Sequence, residues 1–416
     1  MNTEVFEKPM EAPAAPSREH GGEGEGGKKP AFSFSRRMAL LFAVACGLSV
    51  ANIYYAQPLL DALAREFGLP HSSVGIVITV TQLCYALGLF LLVPLGDLQN
   101  RRKLIPGMML LSVIALIVAG TAGSTAVLFA GLAVVGLLAV VTQTLVAYAS
   151  SLAAPSERGQ IVGLVTSGVV IGILLARTFA GALTDIAGWR SVYLSSAAML
   201  FFVACILLRS LPREHRDQPR LNYVQLLQSV LALFMQERIL RIRAILALLI
   251  FASFSILWTS LVLPLSRPPL SLSHSAIGSF GLAGAAGALA AARAGRWADM
   301  GFGQKTTGIA LGLLLLSWLP IGLLHRSLLL LVFGILLLDM AVQAVHVTNQ
   351  SLIFNVRPEA RSRLTAGYMI FYSIGSASGS IASTAVYSYF GWTGVCTLGA
   401  SVSALALLFW ACTRRD

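Results

Sequence analysis

The sequence predicts an all-α membrane protein of twelve transmembrane helices. Three observations carry that expectation: an apolar composition, long uncharged runs joined by short connections, and a lopsided placement of basic residues. Of 416 residues, 56% are hydrophobic and 12% charged, against about 25% charged in soluble chains, and the mean hydropathy is +0.77. The uncharged runs, about twenty residues each, are long enough to cross a hydrocarbon core about 30 Å thick. A membrane β-barrel would alternate polar and apolar residues with period two, and these runs do not.

Residues 1–35 are rich in Gly, Glu, Pro and Lys. They cannot bury a core and are expected to form a disordered cytoplasmic tail rather than a signal peptide. Apolar runs follow at 37–60, 73–96, 103–121, 125–153, 159–183 and 190–209, an N-terminal six-helix bundle over 36–209. A linker over 210–242 carries Arg213, Arg216, Arg220, Arg238 and Arg241. Runs at 243–264, 274–297, 305–324, 327–355, 363–388 and 392–412 complete a C-terminal bundle over 243–412.

Basic residues favour the cytoplasmic side of short loops. With the N-terminus inside, the inner loops collect Arg101, Arg102, Lys103, Arg158, the linker arginines, Arg296, Lys305, Arg357, Arg361, Arg363, Arg414 and Arg415. The outer loops hold only Arg65, Arg190, Arg267 and Arg326. Topology therefore accounts for most of the +12 formal charge, places both termini in the cytoplasm, and leaves no call for nucleic acid. Two readings of the linker remain, a solvated amphipathic connector and a contact with anionic lipid. Cys46, Cys84, Cys205, Cys396 and Cys412 lie far apart in apolar runs without CxxC spacing, so neither a disulfide framework nor a metal site is expected.

The chain also repeats itself. Pro155, Arg158, Gly172 and Gly188-Trp189 recur as Pro358, Arg361, Gly375 and Gly391-Trp392, all at an offset of 203, and Asp97…Lys103 recurs as Asp299…Lys305 at 202. Duplicated halves are a common transporter architecture. The loops after spans 2 and 8 read Pro94-Leu95-Gly96-Asp97-Leu98-Gln99-Asn100-Arg101-Arg102-Lys103 and Gly295-Arg296-Trp297-Ala298-Asp299-Met300-Gly301-Phe302-Gly303-Gln304-Lys305. Six plus six spans with these paired acidic-basic loops resemble the major facilitator superfamily, whose loop motif is Gly-x-x-x-Asp-(Arg/Lys)-x-Gly-(Arg/Lys)-(Arg/Lys). The first copy has Val93 in place of the leading glycine, and the second has a displaced basic end. The segment from Ala51 to Leu60, with Leu338-Asp339 and His346 to Gln350, resembles a bacterial branch of sugar-efflux and multidrug-efflux permeases. That resemblance implies a proton-coupled protein of the cytoplasmic membrane.

Asp97, Arg102, Lys103, Asp299 and Lys305 then read as a conformational latch, an aspartate at the inner end of a span accepting hydrogen bonds from a neighbouring helix N-terminus. Plain positive-inside anchoring explains the basic residues but not the two aspartates. In span 5, Gly163, Gly172, Ala176-Arg177 and Ala180-Gly181 resemble the family's antiporter motif, with Arg177 where its proline stands. Small residues permit close helix packing.

Arg177 lies inside an apolar helix, where a charge is expensive without a wet cavity or a partner. Its expected counter-charge is Asp339, the one carboxylate near the middle of a span. Asp339, Gln343, His346 and Gln350 fall at increments of four, three and four and form one stripe on span 10. Asp339 and His346 both exchange protons, as proton coupling requires, though a structural hydrogen-bond network uses the same residue types. Tyr54, Gln57 and Asp61 share a helical face in span 1, with Pro58 opening the backbone and Tyr55 beside them. Gln82, Tyr85, Gln143, Trp258 and Asn349 complete the expected substrate cavity. Aromatic faces with a few amides suit an apolar or weakly polar small molecule, and packing explains any single one of these residues equally well.

No phosphate-cradling Gly-x-x-x-x-Gly-Lys-(Ser/Thr) loop is present, so no ATP drive is expected from this chain. Without HExxH or GxSxG, an enzyme is not expected, and no cofactor is called for. The expected function is secondary active transport of a small organic molecule, proton-coupled efflux by alternating access, by a monomer in contact with lipid and protons. Uptake of a small metabolite or organic acid is the alternative within transport, and a non-transporting membrane sensor is the alternative outside it.

Overall fold

The computed structural model describes residues 35–153, 157–211, 222–290, 294, 297–354, 356–357 and 360–414, and these are helical with no strand among them. The expected tail at 1–34 and linker residues 212–221 lie outside the described residues.

Span 1 is broken. Helix Arg36–Ala51, capped by the Ser35 hydroxyl, gives way to turns, then a 3₁₀ segment Gln57–Leu59, then helix Leu60–Phe67. Pro58 supplies no N–H for an α-helical bond and stands near the start of the 3₁₀ segment, where none is needed. The expected common face of Tyr54, Gln57 and Asp61 is therefore corrected, because a rotation of 100° per residue does not apply across the break. Asp61 instead pairs with Arg65 within the short helix Leu60–Phe67.

The remaining spans of the first half are Ile76–Leu91, Arg101–Gly120, Thr125–Leu152, Arg158–Ala187 and Trp189–Ser210. The second half comprises Arg238–Leu265, His274–Ala290, Gly303–Gly322, Leu328–Phe354 and two spans that run together over Arg361–Thr413 and divide at Gly391. Among the described residues, eight segments are long and apolar enough to cross a membrane unaided, one of them the joined pair Arg363–Thr413. Span 1 is too broken for that test and span 2, at 16 residues, too short; span 8 runs into residues outside the described set. Exposed Ile114, Phe202 and Leu329 on the outside of the bundle are what lipid contact favours.

The described part of the linker, from residue 222, is helical. Asn222 and Gln225 form a capping box for helix Tyr223–Gln236, which buries Leu226, Val230 and Leu233. The Tyr223 hydroxyl donates to the Leu91 carbonyl at 2.8 Å, tying this helix to the end of span 2. Span 7 begins at Arg238, so Arg238 and Arg241 belong to it.

The 203-residue repeat has a structural cause. Spans 1 and 5 touch backbone to backbone at Gly172, where an added Cβ would lie 2.3 Å from the Gly47 carbonyl oxygen. Spans 7 and 11 repeat the contact at Gly375, where it would lie 2.1 Å from the Leu248 oxygen. Gly188 (φ 77°) and Gly391 (φ 60°) make the reversals into spans 6 and 12 in a region that side chains resist.

The halves meet through spans 5 and 8 and through spans 2 and 11, toward the end of the bundle remote from the termini, here the distal end. Thr178 donates to the Gly278 carbonyl at 3.1 Å, Thr79 to Ala377 at 2.9 Å, and Thr384 to Ser72 at 3.2 Å. At the rim, Asp185 of span 5 accepts from the backbone N–H groups of His274 (3.1 Å) and Ser275 (2.7 Å), the first residues of span 8.

Candidate functional site

Arg177 and Asp339 project into the seam between the halves, 2% and 3% exposed. They are joined through an aromatic ring. The Arg177 guanidinium lies 3.8 Å from the centroid of Trp258, with Phe254 at 5.3 Å and Tyr54 at 5.4 Å. The indole N–H of Trp258 donates to Asp339 Oδ1 at 3.1 Å. Span 1 contributes Gln57, whose Oε1 accepts from Arg177 Nε at 2.7 Å; the broken backbone at Pro58 is what brings this amide to span 5. The second carboxylate oxygen of Asp339 faces Gly284 of span 8, where a Cβ would lie 1.9 Å from it. A cation, an anion and the aromatic face between them thus share a buried centre, where each partly offsets the other's desolvation.

A second polar group lies on the same side of span 10, closer to the termini. His346 is seven residues from Asp339, about 10 Å along a helix. Its Nδ1 lies 2.9 Å from the Tyr368 hydroxyl, and its ring packs edge-on to Phe251 at 5.2 Å. Asn349 Nδ2 reaches the same hydroxyl at 3.5 Å, and Asn349 Oδ1 accepts from Arg243 Nη1 at 3.3 Å. Between the two groups, the hydroxyls of Tyr54 and Tyr372 hydrogen-bond across the halves, and Phe251 packs on Tyr372 at 3.8 Å. The Tyr54 and Tyr372 hydroxyls thus stand between the Asp339 cluster and the His346–Tyr368 pair.

The other sequence-predicted residues divide. Tyr85 is buried near Gln143 and Tyr54, and Gln82 is buried with Oε1 lacking a hydrogen-bond partner. Gln343 is half-buried on span 10. Tyr55 turns away from the seam, packing on Phe179 at 5.7 Å near Ser196, whose hydroxyl donates to Asn52 at 2.7 Å. The side chains of Asp97 and Asp299 lie outside the described residues. In the first loop the buried cation is Arg101, bonded to the Gly96 carbonyl (2.8 Å) and Ser151 (3.1 Å), while Arg102 is half-buried and Lys103 exposed. Lys305 lies 5.6 Å from the Phe302 ring.

Sequence reasoning passed over Arg243, Tyr368, Tyr372 and Gly284. The two tyrosines carried a signal, since residues four apart share a helix face. Arg243 opens the apolar run at 243–264 and was not singled out, although it is 4% exposed, and nothing local marks Gly284.

The sequence profile of the Major Facilitator Superfamily matches residues 40–299 and 243–416. The chain is 49% identical over 382 residues to the uncharacterized transporter YgaY of Escherichia coli O157:H7, covering 92% of this chain and 97% of that protein. It is 30% identical over 406 residues to the "Probable transporter SCO4007" of Streptomyces coelicolor, covering 97% and 92%. A solved bacterial homolog of the human lysosomal transporter Spinster, inward-facing and occupied, has the same fold, with a TM-score of 0.71 at 16% identity over 91% of this chain and 96% of that one. Duplicated six-helix halves, a polar seam where they meet, and these likenesses agree that the chain belongs to the major facilitator superfamily, as a multi-pass membrane transporter and not an enzyme.

Proposed function

We propose that the protein is a secondary active transporter that moves a small organic molecule by alternating access and couples that movement to protons through Asp339 and His346. The observation that carries the reading is the Arg177–Trp258–Asp339 cluster, buried at the junction of the halves, where a change of protonation on one carboxylate alters how strongly spans 5, 7, 8 and 10 hold together. With both termini cytoplasmic, as the basic loops argue, the distal contacts close the outer side, and this conformation is the outward-closed member of the cycle. The close packing at Gly172 and Gly181 supports efflux, by resemblance to the antiporter motif. Arg177 in place of that motif's proline supports the second reading, proton-coupled uptake of an organic acid.

The test is transport in proteoliposomes under an imposed pH gradient, with candidate compounds taken from a comparison of deletion and overexpression strains. Asp339→Asn abolishes gradient-driven accumulation while leaving substrate exchange measurable. Concentrative transport at the wild-type level by this variant, at several pH values, removes Asp339 from the coupling. Wild-type protein that binds a compound but shows no flux in either direction supports the sensor instead.

A further inference from the structure

The Arg177 side chain is only partly used. Of its donors, Nε is satisfied by Gln57 at 2.7 Å, whereas Nη1 and Nη2 are buried without a hydrogen-bond partner. The aromatic faces of Trp258, Phe254 and Tyr54 stabilise the positive charge, yet ring faces offer no lone pair in the plane of the guanidinium. Asp339 directs one oxygen to the Trp258 indole and the other toward Gly284. Leaving charged N–H groups unmet in a buried site is unfavourable, and natural proteins tolerate it chiefly where a ligand or water completes the set.

The same guanidinium borders a small cavity, with room in this conformation for about one water, lined by Gln57, Pro58, Trp258, Leu261, Val262 and Ile277. Spans 1, 5, 7 and 8 all contribute to it. Its walls are apolar except for one amide, one indole and Arg177. Two adjacent Nη donors in a fixed plane match the two oxygens of a carboxylate better than any single acceptor, a geometry that lysine does not reproduce.

We propose that Nη1 and Nη2 of Arg177 are the receptor for the carboxylate of the transported molecule, a small organic monoanion whose apolar body lies against Pro58, Leu261, Val262 and Ile277. The inference rests on the transport reading above and names its substrate class. The one-water cavity is the contracted form of the site, which widens as the halves separate. A dianion suits it less well, since a single arginine faces it and Asp339 lies just beyond the indole.

Full-length protein in nanodiscs is titrated with benzoate and hexanoate and with their neutral counterparts benzamide and hexanamide, following tryptophan fluorescence and thermal unfolding. The expected result is saturable binding of at least one carboxylate, with its amide at least tenfold weaker on about the scale of one charged bidentate contact. Arg177→Gln abolishes the difference between acid and amide. Arg177→Lys keeps the charge without the fork and binds the acid about tenfold more weakly than wild type. Unfolding midpoints near wild type for either variant show that it is folded, and the lysine variant serves if the glutamine variant is not. Equal affinity for acid and amide, undiminished acid binding by the folded variants, or no binding of either acid up to solubility overturns the proposal. Flux of the same compounds in proteoliposomes separates the two readings. Carboxylate binding without flux leaves the receptor and removes transport, whereas flux of a neutral compound without carboxylate binding removes the receptor and leaves transport.

Discussion

The contact between Asp185 and the start of span 8 predicts a measurable bias between conformations. Asp185 belongs to the first half and caps a helix of the second. Its Oδ2 accepts from the Ser275 N–H at 2.7 Å, its Oδ1 from the His274 N–H at 3.1 Å, and His274 Nδ1 also lies 3.1 Å from Oδ1. Asp185→Asn preserves the shape, exchanges one acceptor oxygen for an NH₂ group facing a donor, and removes the charge from the helix N-terminus. Loss of a cap costs about 0.5–2 kcal/mol, and a charge at a helix N-terminus contributes about 0.3–1 kcal/mol at exposed sites. The Asp185 side chain is 27% exposed, so solvent screening places the combined effect at about 1–1.5 kcal/mol. That corresponds to a shift of about 5- to 13-fold toward distal opening. The assay replaces the five native cysteines, introduces Ile277→Cys in the central cavity, and measures its labelling by an impermeant maleimide supplied from the distal side. While the distal-open state is the minor one, the rate scales with its population and rises by that factor in Asp185→Asn. A rate within twofold of the parent, in protein of unchanged stability, refutes the clasp.

Three further outcomes follow from the packing and electrostatics. Gly172→Ala forces a Cβ to within 2.3 Å of the Gly47 carbonyl and destabilises the first bundle by about 1–3 kcal/mol, whereas Gly163→Ala, with nothing within 4 Å, leaves the melting temperature near wild type; equal effects contradict the packing described. At the distal rim, Glu66 is held below the usual glutamate range, first by the Trp189 indole and then by Arg190. A depressed folded value means that its contribution is present above the unfolded pKa and lost as pH falls through the lower folded one, so the melting-temperature difference between wild type and Glu66→Gln shrinks in acid, and a constant difference from neutral to acidic pH contradicts the assignment. Finally, Arg177→Gln and Asp339→Asn each strand one buried charge, so the double variant loses less stability than the two single losses together; strict additivity in a double-mutant cycle means the two do not interact through Trp258.

What the sequence by itself determined was set by solvent and by duplication. Hydropathy and the basic loops identified a twelve-span bundle because the hydrocarbon core imposes one length on every crossing, and the 203-residue offset was legible because Gly172 and Gly375 stand where a Cβ would strike a neighbouring backbone and Gly188 and Gly391 hold a positive φ. Arg177, Asp339 and His346 stood out in the same way, as charged or titratable groups in apolar helices. Tertiary structure decided the rest. That Trp258 lies between Arg177 and Asp339, that Gln57 reaches Arg177, and that Tyr54 meets Tyr372 depends on how four or more spans are rotated against one another. Periodicity places a residue on a face of its own helix and says nothing of which helix that face meets. Tyr55 and Asp61 show the limit: both are neighbours of Gln57 in sequence, but the break at Pro58 turns one toward Ser196 and commits the other to Arg65. Arg243 shows the converse, since a basic residue at the edge of an apolar run satisfies topology whether it faces water or, as here, is buried among Asn349 and Thr307, and only the packing of the second bundle distinguishes the two.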